Sequence, residues 1–333
     1  MKKSSNGLFS GAPTPMAGLA LAIASLGWCW ENAAPLNGYA QWTSAAIAAV
    51  MLVVLAVKFV LHGHLLRDDL AHPVVGSVAP TFAMGTMVVS ASVGHFFPQA
   101  GDALWLFAVA IHAIFLAVFI YHRAKAFEVH HMVPSWFVPP IGIIVADVSF
   151  SGNPALAPIA YAVLIFGIAA YAIMLPMMIY RFIFCQEVPD AAKPTLAIMA
   201  APASLSLAGY LTFMQMTAQA PSVMVVMILL PIAMLMTALI YIAFYKLLQL
   251  PFSPGYAAFT FPMVIGATAL FKTAKWMANI DVFAQYAQGI HQLALIELGV
   301  ATIVVGYVAL RYWMFYRPEQ ILLSHAPEPQ LNS

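Results

Sequence analysis

The stretch Thr260-Phe261-Pro262-Met263-Val264-Ile265-Gly266 decides how this chain folds. It places a proline and then a glycine inside an apolar run over residues 255–277, long enough to cross a bilayer as a helix. Working outward, the same order recurs as Pro202 and Gly209, Pro140 and Gly142, Pro80 and Gly85, and Pro15 and Gly18. The five prolines are spaced by roughly 60 residues, a period that holds two spanning helices and their turns. One kinked helix and one plainer helix, repeated five times, can enclose a conduit.

Composition agrees. Of 333 residues, 63% are hydrophobic and only 8% charged, where a soluble domain carries about a quarter charged residues. The chain reads as an all-α, polytopic membrane protein. A net charge of +1 gives no reason to expect nucleic acid. Cys29 and Cys185 fall at the ends of different spans, so neither a disulfide nor thiol chemistry is expected. Lys2 and Lys3 precede an apolar run from Met16, which reads as an uncleaved first helix rather than a signal peptide.

Runs of about 20 apolar residues predict ten helices over 13–31, 39–62, 76–97, 103–123, 135–151, 155–184, 194–218, 222–248, 255–277 and 286–314. The connections alternate in character. Those after the even helices carry Lys58, Arg67, Arg123, Lys125, Arg181, Lys193 and Lys246; those after the first four odd helices carry no lysine or arginine. The positive-inside rule makes the basic side cytoplasmic, and Lys2, Lys3, Arg311 and Arg317 put both termini there. Only Lys272 and Lys275, near the outer end of the ninth helix, break the pattern. Residues 1–317 read as a single transmembrane domain of five two-helix repeats, and 318–333 as a disordered cytoplasmic tail.

All five proline-bearing helices then run in the same direction. Five parallel repeats cannot divide into two inverted halves, which disfavours a rocking-bundle carrier. Proline frees the carbonyl one turn earlier, and in hydrocarbon that carbonyl needs protein or lumen water. Nearby glycine and alanine let backbones approach and leave space at the axis. Proline and glycine are frequent in membrane helices generally, and Pro176 and Pro231 lie on even helices; recurrence on every odd helix is what carries weight. Thr86, Ser90, Ser204, Ser206 and Thr268 add hydroxyls. No acidic ring suits a cation pathway. A weakly positive, mostly apolar lumen favours small anions without binding them tightly.

Several short motifs bear a family resemblance. Trp28-Cys29-Trp30-Glu31-Asn32-Ala33-Ala34-Pro35, Pro134-Ser135-Trp136-Phe137-Val138-Pro139, Ala201-Pro202-Ala203 with Ala208-Gly209-Tyr210-Leu211, and Phe259-Thr260-Phe261-Pro262-Met263 resemble those of the tellurite-resistance/dicarboxylate transporter (TDT) family. That family includes bacterial tellurite-resistance proteins, plant guard-cell slow anion channels, fungal malate permeases and sulfite exporters. The resemblance covers about residues 11–317, and it rests on the order and spacing of the motifs. It implies ten helices as five hairpins around a central pore, kinked inner helices, and a homotrimer with one conduit per subunit. It also implies that the phenylalanine matching Phe261 projects into the pore and closes it. Phe259, roughly 200° away around a helix, faces elsewhere.

Other residues have more than one reading. Asp147 pairs with Lys272 or Lys275, helps select substrate, or sits at an outer mouth in contact with headgroups or water. Lys272 and Lys275 either concentrate anions at the mouth or snorkel to the outer surface. Glu297, at mid-membrane, calls for a partner such as His291 or His112, and serves either a proton relay or a structural hydrogen bond. The ten histidines raise a rival class, a haem or metal enzyme. His95, His112 and His291 form no facing pairs at matched depth, so no cofactor or metal is expected. No Walker loop or nucleophile motif is present, and no enzyme activity is expected. The expectation is an inner-membrane channel or passive transporter, in contact with lipid, for small anions or C4-dicarboxylates. The alternative is a proton-coupled transporter using Glu297 or Asp147.

Overall fold

The computed structural model describes residues 7–125, 127–316 and 321. Lys2, Lys3, Arg317 and all of the 318–333 tail but Ile321 lie outside the described residues. Among the described residues a helical element lies along each of the ten expected segments, but ten crossings are not established. The elements are α1 (Met16–Ala33), α2 (Tyr39–Leu61), α3 (Val75–Phe96), α4 (Pro98–Ala124), α5 (Pro134–Val148), α6 (Ala157–Phe184), α7 (Asp190–Met216), α8 (Val223–Leu247), α9 (Pro254–Met277) and α10 (Asp281–Phe315). Eight are long and apolar enough to cross a membrane. The exceptions are α1, whose last turns carry Trp28, Trp30, Glu31 and Asn32 and so are less apolar, and α5, which is shorter and broken into 3-10 and α-helical pieces. A further short helix, Gly63–Ala71, joins α2 to α3 and was not expected from hydropathy, because Arg67, Asp68 and Asp69 make it polar.

The odd elements form a closed ring: α1 packs on α3, α3 on α5, α5 on α7, α7 on α9, and α9 back on α1. Each even helix packs against its odd predecessor. Burial divides the two sets. In α7 and α9, 94% and 89% of the apolar window is buried, against 22% in α6 and 33% in α8. The outer helices thus keep an apolar face uncovered within the chain, as helices facing hydrocarbon do.

The prolines act differently from the expected mid-helix kink. Pro15 and Pro80 stand immediately before the α-helical parts of α1 and α3, and Pro202 is in the first turn of the α-helical part of α7. Pro262 lies three residues into the α-helical part of α9, and Pro140 in the four-residue turn Val138–Ile141. At a helix start the missing N–H would have had no intrahelical acceptor anyway. In α7 and α9 a 3-10 segment, Asp190–Ala200 or Pro254–Phe259, leads into the α-helix at that point. The winding changes from 3-10 to α there.

Candidate functional site

The ring encloses a cavity of about 810 Å³, open to the basic end. All five odd elements line it: Gly18 and Leu21 from α1, with Pro15 just before it; Val78, Thr81 and Met84 from α3; Phe137, Ile141 and Gly142 from α5; Ile198, Pro202 and Leu205 from α7; and Ala258, Phe261 and Pro262 from α9. A much smaller cavity of about 20 Å³ lies beyond it. Ser25, Trp28, Cys29 and Asn32 of α1, Val88 of α3, Val145 and Val148 of α5, and Ile265, Thr268 and Lys272 of α9 line this second space, again with Phe261. Phe261 is therefore the residue common to both, and its side chain is 8% exposed. Phe259 is fully buried on another side of α9, with its ring 5.5 Å from Phe244 of α8 and 4.7 Å from Tyr256.

Half of the proline and glycine positions line the large cavity: Pro15, Gly18, Gly142, Pro202 and Pro262. Pro80, Gly85, Pro140, Gly209 and Gly266 do not. Their glycines serve helix packing instead of lumen width. A Cβ on Gly85 would meet Leu52 of α2 at 3.3 Å, and one on Gly209 would come within 2.4 Å of Ile144 of α5. A Cβ on Gly266 would lie 2.7 Å from Glu297 Oε2 of α10. The hydroxyls are also turned inward to their own helices. Thr86, Ser90 and Ser204 donate to carbonyls three or four residues earlier, and of the five expected lumen hydroxyls only Thr268 lines a cavity.

Charge is arranged differently in the two spaces. At the wide end, Lys58 of α2 is 5% exposed, and its Nζ donates to Ala12 O at 2.9 Å, Thr14 Oγ1 at 3.1 Å and Asp69 Oδ2 at 3.4 Å. Thr14 Oγ1 in turn donates to Asp69 Oδ2 at 2.5 Å. A buried ammonium needs this full set of partners. The three residues tie the segment before α1, helix α2 and the helix Gly63–Ala71 together at the cavity mouth. Arg181 of α6, wholly buried, donates from Nε to Met132 O at 2.8 Å and from Nη1 to Gln186 O. His72 Nδ1 accepts the backbone N–H groups of Val74 and Val75 at 3.2 Å each, capping the start of α3. Partial burial pushes its imidazole pKa down, with Asp69 opposing and Arg123 reinforcing the shift.

In the narrow space Lys272 is the only charged lining residue among the described residues. Lys275, one turn on, is exposed and lines neither cavity.

Two acids depart from their expected surroundings. Asp147 makes no pair with Lys272 or Lys275 and does not sit at a wet mouth. It is fully buried, its Cβ lies 3.3 Å from where a Cβ on Gly209 of α7 would stand, and neither carboxylate oxygen has a hydrogen-bond partner among the described residues. Glu297 is 4% exposed with Oε2 unpartnered, and neither histidine pairs with it. His112 hydrogen-bonds Pro139 O at 2.8 Å, and the His291 ring sits 5.3 Å from that of Phe271. Sequence reasoning missed the Lys58–Thr14–Asp69 cluster. The signal was there in a lysine four residues inside the end of an apolar run, which must be buried unless it snorkels. Cys29 and Cys185 are both free thiols.

Comparison with known proteins adds the family. The model of the voltage-dependent anion channel family, SLAC1, matches residues 13–313. Two uncharacterized transporters of Methanocaldococcus jannaschii, MJ0576 and MJ0762, are each 25% identical to the chain. The first aligns over 238 residues, 64% of this chain and 69% of the relative; the second over 236 residues, 64% and 68%.

Proposed function

This chain belongs to the voltage-dependent anion channel (SLAC1) family, and we propose that it conducts small anions passively through the axis of its helix ring, with Phe261 as the gate. The observation that carries this reading is the place of Phe261, the one aromatic side chain that walls both the wide and the narrow cavity. An apolar ring at a constriction opposes a hydrated ion by dewetting, so removing it lowers the barrier without any new contact. Ten crossings, the basic end on the cytoplasmic side of the inner membrane, and a homotrimer with one conduit per subunit complete the reading. The membrane protein is a transporter by family; whether its cargo is monovalent or a C4-dicarboxylate is decided by flux.

The test is Phe261→Ala in a planar bilayer at matched protein density. Conductance rises by about tenfold or more, equivalent to lowering a barrier by about 1.4 kcal/mol; an unchanged current removes Phe261 from the gate. A second reading, proton-coupled transport, is favoured by one observation: Asp147 and Glu297 are buried with unpartnered carboxylate oxygens. A pH gradient separates the two. Passive conduction leaves the reversal potential fixed by the anion gradient, whereas coupling shifts it with pH.

A further inference from the structure

We propose that Lys272 is the residue that makes the narrow half of the conduit select anions over cations. This rests on the conduit reading above and deepens it. Phe261, Ile265, Thr268 and Lys272 recur at intervals of four, three and four residues, which is one stripe of an α-helix, and all four line the narrow cavity. The stripe begins at the aromatic boundary and ends at the amine.

Among the described residues no carboxylate lines that cavity and Lys272 enters no ion pair. The nearest acids by position are directed elsewhere. Asp147 sits between the lining residues Val145 and Val148 but lies against Gly209 of α7, and Glu297 lies behind α9 against Gly266. Facing Lys272 from α1 are Ser25, Trp28, Cys29 and Asn32, none of which carries a charge as a thiol, alcohol, indole or amide. The wide half differs: its Lys58 is held by Asp69 and by two neutral oxygens. A fixed charge without a counter-charge, in a space too narrow for much bulk water, acts on a passing ion with little screening. The sign of that charge favours anions.

The experiment uses the full chain carrying Phe261→Ala, so that the current is large enough for reversal potentials in a KCl gradient. Adding Lys272→Met lowers the chloride-to-potassium permeability ratio by at least about fivefold, the factor that a unit charge at about 4 Å gives even at the dielectric of bulk water. Lys272→Arg keeps the ratio. An unchanged permeability ratio, in a channel that conducts after Phe261→Ala, overturns the role of Lys272 alone. A Phe261→Ala protein that carries no current overturns the gate and this inference together.

Discussion

The two halves of the conduit use charge in opposite ways. In the wide half, Lys58 is nearly inaccessible and surrounded by Ala12 O, Thr14 Oγ1 and Asp69, so its charge is consumed in holding three chain segments together. In the narrow half, Lys272 is half-buried and has no acid beside it in the lining. A paired charge fixes architecture; an unpaired one stays free to act on an ion. The same residue type thus serves stability at one end and permeation at the other, and hydropathy alone does not tell the two apart.

The boundary between the halves gives the largest expected effect on folding. Phe259 and Phe261 are two residues apart on α9, yet Phe259 is enclosed by Phe244 and Tyr256, while Phe261 borders empty space on both sides. Phe259→Ala deletes a ring from a packed site and costs about 3–5 kcal/mol, read as a fall in thermal stability in detergent, with no gain of conductance. Phe261→Ala costs less, because part of its ring borders the two cavities instead of packed side chains. Equal losses for the two variants would mean that Phe261 is a core residue like Phe259, and the boundary would vanish.

A smaller effect tests the wide half itself. Lys58→Met removes charge-assisted hydrogen bonds to Thr14 and Asp69, each of a kind worth about 1.5–3 kcal/mol, and leaves Asp69 without its counter-charge. We expect destabilisation of about 2 kcal/mol and faster proteolysis of the segment before α1, with chloride-to-potassium selectivity unchanged. Restoring charge balance with Lys58→Met and Asp69→Asn together recovers part of that loss. A loss of selectivity in Lys58→Met would place ion discrimination at the wide mouth and erase the contrast with Lys272.

The proline and glycine repeat was enough to place five elements in a ring, because helices with irregular winding and close-approach residues are excluded from hydrocarbon and driven inward. It did not tell which side of each helix faced the lumen. Gly85, Gly209 and Gly266 face neighbouring helices, since a glycine is used equally for a narrow helix contact and for an open axis. The 200° offset between Phe259 and Phe261 was readable, because only helical geometry was needed. The surroundings of Asp147 were not. Its position near the end of α5 suggested a wet mouth, but α5 is short and broken, so the end of the element lies within the ring instead of at a surface. Lys58 was counted correctly on the basic side, and its burial was invisible because its partners, Thr14 and Asp69, lie on either side of it in sequence and in other segments.

The least of the expected effects concerns His72, where α3 begins at the wide mouth. Its Nδ1 accepts two backbone N–H groups, which requires a neutral ring with the proton on Nε2. Burial depresses the folded-state pKa below 6.5, so protonation is harder in the folded chain than in the unfolded one. A depressed histidine pKa contributes stability that is fully present above the unfolded value and is lost as pH falls through the folded value. Stability should therefore decline as pH drops below about 6.5, in excess of the decline of a His72→Asn variant, whose amide oxygen accepts a backbone N–H without titrating. The difference in melting temperature between the two proteins, followed from pH 7.5 down to 5, is the measurement. Parallel curves would show that the cap at α3 does not titrate.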